Sequence, residues 1–549
     1  MAGKVKNMVC FPMWGNLTLL APLWIRRRCV VSYAKVLHQP KEIKELGINN
    51  VLPIAHNIEI VNYVLPDQQQ GVDFQRRSEL GQFMTPSQIA HFMASLFDRS
   101  RFEDIRLLDP GAGLGALSTA FLDACFFDDK VHRAELVAYE IDPFLRDRLE
   151  KHLKKQCDTA VNPNSAFLFH VLEKDFIEEA VNLILSKNFK KFTHAILNPP
   201  YKKINSQSRH RQLLHSIGIE TVNLYTAFLA LTIHLVEDGG EIVAIIPRSF
   251  CSGSYYRSFR EWLLKNTSIK QIHLFNARDK AFKEDGVLQE NVIMHLVKGG
   301  IQEDVLLSFS NDDSFSDSYS YQCPFEHILK NNDDEFFIRI PSESDLSSLM
   351  ESTGINNSLT EIGVEVSTGP VVDFRLKDFL CAQPESDAVP LLYPCHFERN
   401  NIHWPKDNIK KPNAIKVALE TEKWLWPNGF YVVVRRVSSK EEKRRVVASV
   451  VNPNFFNSSK IGFENHLNVF HFGKNELDKD LAYGLAAFLN SSQVDRAFRS
   501  FNGHTQVNAT DLRSLKYPDR EVLVEIGKWV QNYPHLTQES IDMKIESLN

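Results

Sequence analysis

Asn198-Pro199-Pro200-Tyr201 closes the apolar run Ala195-Ile196-Leu197, and these residue types together suit one task, the grip of a planar substrate bearing an NH₂ group. The Asn198 side-chain oxygen and the Pro199 carbonyl are two hydrogen-bond acceptors for two N–H donors. Proline stiffens the turn that aims them, and Tyr201 offers a ring face for stacking.

A second set of residues is spaced for a nucleotide-like cofactor. Asp109-Pro110-Gly111-Ala112-Gly113-Leu114-Gly115 stands at a strand-to-helix junction, where glycines let the backbone approach a ligand and a helix N-terminus presents free N–H groups. The spacing is not the dinucleotide G-x-G-x-x-G. Glu140, 25 residues after Gly115, ends the next strand, where a carboxylate can accept both hydroxyls of a ribose. Asp175-Phe176 follows the third strand and offers an acceptor for an adenine amino group beside a ring to pack on it. By itself Asp175 also reads as an ordinary helix N-cap.

These residues need a scaffold that brings strand ends together, and the apolar pattern provides one. After Thr85-Pro86, which supplies a cap and a first-turn proline, Ile89, Phe92, Met93 and Leu96 recur at helical spacing over 87–97. Strands at 105–109 and 135–140 flank a helix at 117–127, a β-α-β unit. The alternation continues with a strand at 167–171, a helix at 176–186, a strand at 193–197, a helix at 223–236, a strand at 241–246, a helix at 255–265 and strands at 269–275 and 291–297. This predicts an α/β fold, an open and mostly parallel sheet covered on both faces. In such a doubly wound sheet the glycine loop, Glu140, Asp175 and Asn198 converge along one carboxyl edge.

Character changes after Lys298. Between Ile301 and Glu351 twelve acidic residues stand against two basic ones, which marks 301–358 as an acidic connecting segment. Beyond Leu359, β-branched stretches at 362–367, 430–437 and 446–451 predict a separate β-rich domain with some helices, over 359–549. The net charge of −5 excludes a basic coat over the whole surface, yet nucleic-acid binding needs only a local basic face. From Trp404 to Ser449 eleven Lys/Arg stand against five Asp/Glu, interleaved with Trp404, Trp424, Trp426 and Tyr431. That excess suits phosphates, or forms a solvated mixed-charge face. The run from Phe501 to Leu512 is rich in amide and hydroxyl groups fit for base edges or phosphates, and equally for a loop in which Thr510 or Asp511 caps a helix.

Eight scattered cysteines without any C-x-x-C point away from a zinc site or a disulfide framework and toward a reducing cytoplasm. Residues 1–75 read as an extension, partly disordered or helical. Its apolar run from Met8 to Ile25 is broken by Pro12, Gly15, Asn16 and Pro22, and its basic cluster Arg26-Arg27-Arg28 follows the run instead of preceding it. Neither a membrane span nor a signal is expected there.

In order and spacing, Gly81-Gln82-Phe83-Met84-Thr85-Pro86, the Asp109–Gly115 loop, Glu140, Asp175-Phe176 and Asn198-Pro199-Pro200-Tyr201 resemble the N6-adenine DNA methyltransferases of restriction-modification systems. The match is to the TaqI-like and PstI-like arrangement (gamma type), in which cofactor motifs precede the target-recognition region. It spans 80–300 at motif level, and the C-terminal domain matches by position and general character. The resemblance implies a class I, Rossmann-like S-adenosylmethionine-dependent methyltransferase domain over 76–300 and a target-recognition domain of β-rich α+β type over 359–549. It implies that Phe83, Thr85, Pro86, Asp109, Gly111, Gly113, Gly115, Glu140, Asp175, Phe176 and Asn198 bind S-adenosylmethionine. Asn198, Pro199, Pro200 and Tyr201 would then act in catalysis, with Phe282 a second aromatic against the target base.

The implied substrate is adenine in double-stranded DNA, flipped out for methylation at N6, with no metal required and a cognate restriction endonuclease encoded separately. Asn-Pro-Pro-Tyr also occurs in enzymes that methylate protein glutamine or RNA amino groups. The Gly81–Pro86 motif and the large C-terminal domain favour DNA. A combined restriction and modification enzyme is disfavoured, because Pro518-Asp519, Glu525 and Lys528 place two residues between Glu and Lys where a nuclease motif has one.

Overall fold

The computed structural model describes Met8–Cys10 and residues 85–547, apart from 103, 127, 129, 160–165, 277–289, 332, 344–353, 399–400, 440 and 534–535. Phe83, Phe282 and nearly all of the 1–75 extension lie outside the described residues.

The N-terminal half is built on one ten-stranded sheet. Its strands are β1 (Met8–Cys10), β2 (Asp104–Pro110), β3 (Arg133–Tyr139), β4 (Ala166–Leu172), β5 (Phe192–Leu197), β6 (Val236–Pro247), β7 (Thr267–Phe275), β8 (Asn291–Lys298), β9 (Val305–Ser310) and β10 (Tyr319–Cys323). They lie in the order β1-β4-β3-β2-β5-β6-β8-β7-β9-β10. The centre, β4 to β6, is parallel. Every residue of β5 is buried, as expected of a parallel strand covered on both faces. From β2 the chain winds outward one way through β3 and β4, then returns to the other side of β2 with β5 and β6. Ligands of such sheets bind where this winding reverses, at the carboxyl ends of the strands. Here that crevice lies between the loops after β2 and β5.

One face of the sheet carries α1 (Ser87–Ser95), α2 (Ala116–Phe126) and α3 (Pro143–Thr159), and the other carries α4 (Phe176–Ser186), α6 (Leu224–Leu235) and α7 (Arg257–Asn266). A short α5 (Arg209–Ser216) precedes α6. Neither α3 nor α5 was expected from the sequence. In α3, Leu145, Leu149, Leu153 and Cys157 recur every fourth residue and are buried, a narrow stripe on an otherwise charged helix. The stretch expected as an acidic connection is corrected in part: β9 and β10 belong to the sheet, because Val305-Leu306-Leu307-Ser308-Phe309 is apolar and the acids gather in the turns around it.

Among the described residues the C-terminal half holds a four-stranded and a five-stranded sheet, two two-stranded ones and five helices longer than four residues. Glu365–Thr368, Leu467–His471, Tyr431–Arg435 and Ala448–Val451 form an antiparallel sheet in that order, incorporating all three β-branched stretches. Helices Lys479–Leu489, Ser492–Phe501, Ala509–Arg513, Arg520–Asn532 and Gln538–Glu546 cover one face. The other face packs through Trp426, Tyr431, Val433, Phe463 and Val469 toward a five-stranded sheet. Among the described residues no helix is long and apolar enough to cross a membrane.

Candidate active site

The crevice at the winding reversal holds a cavity of about 280 Å³. Gly111, Ala112, Gly113 and Leu114 line it from the loop after β2, Glu140 and Ile141 from beyond β3, Asp175 and Phe176 from beyond β4, and Asn198 and Pro200 from beyond β5. The loop bends through φ values of +86° at Gly111, +57° at Gly113 and +89° at Gly115, which side-chain-bearing residues reach only with strain. Gly115 is confined as well, since a Cβ there would lie 2.4 Å from Leu149 Cδ1.

Glu140 is buried, with Oε2 accepting from the Gly113 N–H at 2.9 Å and Oε1 from the Asp142 N–H at 2.8 Å. Burial pushes its pKa up, against the opposing pull of those amides. Asp175 is the N-cap of α4, as its residue type allows: Oδ1 accepts from the Glu178 N–H at 3.0 Å, while Oδ2 pairs with His210 Nε2 at 2.9 Å. Burial acts to raise the Asp175 pKa, but the His210 bond and the Glu178 amide outweigh it and hold the carboxyl below its ordinary range. The same bond raises the pKa of His210. Phe176 and Phe228, ring centroids 5.0 Å apart, supply an apolar wall.

Asp109 stands apart from the cavity lining. It is fully buried beneath the loop, where Oδ2 accepts from the Ser118 hydroxyl at 2.6 Å and burial pushes its pKa up to about 7. The carboxyl thus ties the glycine loop to α2. The expected helix cap at Thr85 is also corrected. Pro86 itself takes the N-cap position without a side-chain bond, and the Thr85 hydroxyl is turned toward Asn198.

Asn198 is held at both ends of its amide. Nδ2 donates to Thr85 Oγ1 at 3.0 Å, and Oδ1 accepts from the Tyr201 hydroxyl at 2.9 Å. That hydroxyl also lies 3.2 Å from the Ile245 carbonyl, and burial pushes its pKa far up, so it remains a neutral donor. Tyr201 therefore orients the amide in addition to offering its ring, which meets Tyr225 edge-on at 6.2 Å. Pro199 is buried behind the turn.

Beyond Tyr201 opens a cleft of about 810 Å³ between the two halves of the chain. Tyr201, Lys203, Asn223, Tyr225, Ser249 and Tyr255 line one side, and Thr368, Arg436, Thr505, Gln506, Asn508, Thr510 and Arg513 the other. In the amide-rich run, Asp511 is structural: Oδ2 accepts from the Asn508 N–H at 2.9 Å and from Asn502 Nδ2 at 3.0 Å, and burial raises its pKa to about 6. Within the basic stretch, Arg436 reaches the cleft. Arg435 pairs with Glu442 at 2.8 Å, Arg445 is buried against Ser438, Asn502 and His504, and Trp426 and Tyr431 lie in the core. These four side chains thus serve the fold, while Lys410, Lys411, Lys423 and Lys443 of the same stretch are exposed. Arg248 joins the halves, with Nη1 3.1 Å from Glu290 Oε1 and Nη2 donating to the Arg499 and Ser500 carbonyls at 3.0 and 2.7 Å.

Sequence reading missed His210, Ile141 and Phe228 as cavity residues. Ile141 carried a signal, an apolar residue placed directly after the strand-terminal Glu140, and it remains 52% exposed. His210 carried none, because only the fold of α5 brings it back to Asp175.

Comparison with known proteins places this geometry in context. The Eco57I restriction-modification methylase family model matches residues 123–282. Over 479 residues the chain is 52% identical to Type II methyltransferase M.BsuBI of Bacillus subtilis, covering 86% of this chain and 94% of that one. Over 494 residues it is 42% identical to Type II methyltransferase M.PstI of Providencia stuartii, covering 89% and 97%. The solved structure of the type IIL restriction-modification enzyme MmeI in complex with DNA is 13% identical, with a TM-score of 0.49 over 84% of this chain and 71% of that one. On the two close relatives, the chain belongs to the family of Type II methyltransferases that includes M.BsuBI and M.PstI.

Proposed function

We propose that the protein is a site-specific, adenine-specific DNA methyltransferase, the modification enzyme of a restriction-modification system. It would transfer a methyl group from S-adenosylmethionine to N6 of an adenine flipped out of double-stranded DNA. The observation that carries this reading is the 2.9 Å bond from Tyr201 to Asn198, which joins the wall of the small cavity to that of the large cleft. A cofactor site and a polymer-sized groove meet at the two side chains suited to a planar amine.

The cavity residues fit the cofactor. Glu140 retains lone pairs for ribose hydroxyls while two amides hold it in place, and Asp175 offers an acceptor to an adenine amino group. Ile141, Phe176 and Phe228 give apolar faces for a ring, and the glycine loop keeps side chains out of its path. When bound, S-adenosylmethionine supplies an electrophilic methyl on a sulfonium whose departure leaves a neutral thioether.

Adenine N6 is a poor nucleophile because its lone pair is delocalised into the ring. Asn198 Oδ1 and the Pro199 carbonyl, by accepting hydrogen bonds from the two N–H groups, favour a pyramidal nitrogen with a localised pair; once methylated, the cationic nitrogen sheds one proton to solvent. The remaining acceleration comes from in-line positioning and preorganised dipoles, so no strong base is needed. Flipping costs a few kcal/mol, and stacking on Tyr201 offsets part of it at about 1–3 kcal/mol per base.

Incubation with methyl-labelled cofactor and separate samples of duplex DNA and total RNA, followed by nucleoside analysis, tests the reading. N6-methyladenine in DNA is expected. Label in RNA alone, or on cytosine, would overturn it.

A further inference from the structure

Tyr255 is 82% exposed, yet it does not stand on the outer surface: it lines the cleft between the two halves, on the same side as Tyr201. It lies on a single tight turn, Ser254–Tyr256, between β6 and α7. The Gly253 N–H donates to the Ser249 carbonyl at 3.1 Å and the Tyr256 N–H to the Gly253 carbonyl at 3.0 Å. Arg260, fully buried, donates from Nη1 to the Phe250 and Gly253 carbonyls at 2.9 and 2.7 Å. The neighbouring Tyr256 is buried, its hydroxyl accepting from Asn223 Nδ2 and its ring 5.9 Å from Tyr225.

The turn is also pressed from the C-terminal half, since a Cβ on Gly253 would lie 2.9 Å from His504 Nε2. Its backbone is therefore fixed from both sides of the cleft while one large aromatic side chain is left in solvent. Among the described residues no hydrogen bond or ring contact engages Tyr255. Isolated exposed aromatics are common on protein surfaces, but a rigid mount inside a functional groove is a different arrangement.

Lys203, Arg436 and Arg513 line the same cleft, cations that complement a phosphate backbone. An aromatic plane among such cations suits stacking on a nucleobase. Extruding one base from a duplex removes its stacking from both neighbours, and a rigid ring presented there replaces part of that loss.

We propose that Tyr255 is a positioning residue that stacks on the opened DNA duplex beside the target base and stabilises the extruded state. This rests on the DNA reading given above. Because the side chain is exposed and outside the cofactor cavity, its removal leaves the fold and cofactor affinity unchanged.

The test uses the full-length protein, Tyr255→Ala and Tyr255→Phe, on two duplexes carrying the site mapped from methylated DNA of expressing cells. One duplex is fully paired, and the other is abasic opposite the target adenine, so that no pair must be broken. Tyr255→Ala is expected to lower kcat/KM on the paired duplex by about ten- to a hundredfold, the range for loss of one base–aromatic stack. The abasic duplex should restore it to within about threefold of wild type, and Tyr255→Phe should act as wild type on both. Unchanged activity of Tyr255→Ala on the paired duplex, or a loss equally large on both, would sink the proposal. A wild-type protein that methylates no duplex would overturn the DNA reading itself, an outcome distinct from either.

Discussion

Asn198 is held by Thr85, 113 positions away, and by Tyr201, three positions away, and the two contacts divide its task. Thr85 fixes the amide nitrogen and the Tyr201 hydroxyl fixes the oxygen, so the orientation of the amide is set from both ends. Asn198→Ala is expected to lower the single-turnover rate by at least about a hundredfold, as for loss of one preorganised polar group, with cofactor affinity within a few-fold of wild type. Tyr201→Phe keeps the ring and removes the clamp. It should cost about tenfold in that rate, the worth of one hydrogen bond.

The Asp175–His210 pair sets a pH dependence. The pKa of Asp175 is depressed, so its stabilisation is present above its unfolded value and is lost as pH falls through the folded one. The pKa of His210 is raised, so its share is full below its unfolded value and is lost as pH rises through the folded one. Glu178 and Arg209, themselves paired at 2.9 Å, face the imidazole with opposite signs. His210→Ala should therefore lower the melting temperature in mildly acidic buffer and converge on wild type as pH rises through the raised pKa of His210, by thermal denaturation. Partial exposure limits the effect to about 1 kcal/mol or less.

At the scale of elements, helices Lys479–Leu489 and Arg520–Asn532 cross at backbone contact. A Cβ on Gly484 would lie 1.7 Å from the Leu523 carbonyl oxygen, and one on Gly527 the same distance from that of Asp480. No rotamer relieves a clash with backbone, so Gly527→Ala should destabilise the protein by about 3 kcal/mol, read from the urea unfolding midpoint. Neither glycine announces this role locally. The central strands did announce themselves, because burial on both faces writes continuous apolar runs such as Phe192–Leu197. By contrast α3 escaped notice because its buried stripe is one residue wide, and β9 was hidden by the acids around it.

At the scale of the molecule, one buried ion pair bears on how the halves stay together. Arg248 and Glu290 are 5% and 2% exposed, and Arg248 also donates to two carbonyls of the C-terminal half. Arg248→Met would remove the guanidinium paired with the buried Glu290 carboxylate and two hydrogen bonds to the C-terminal half, a loss of about 3–5 kcal/mol. The expected outcome is a lower melting temperature together with faster proteolytic cutting between the halves, compared with wild type under the same conditions.

The chemical types at the site and their order after successive strands were legible in the sequence, because strand burial, turn glycines and helix caps are dictated by neighbours within a few residues. Tertiary structure decided which groups face one another: Thr85 against Asn198, His210 against Asp175, and the Gly503–Arg513 segment across the cleft from Tyr201. Such pairings depend on how the sheet winds and how the two halves dock, and no local spacing encodes a contact made across more than a hundred residues.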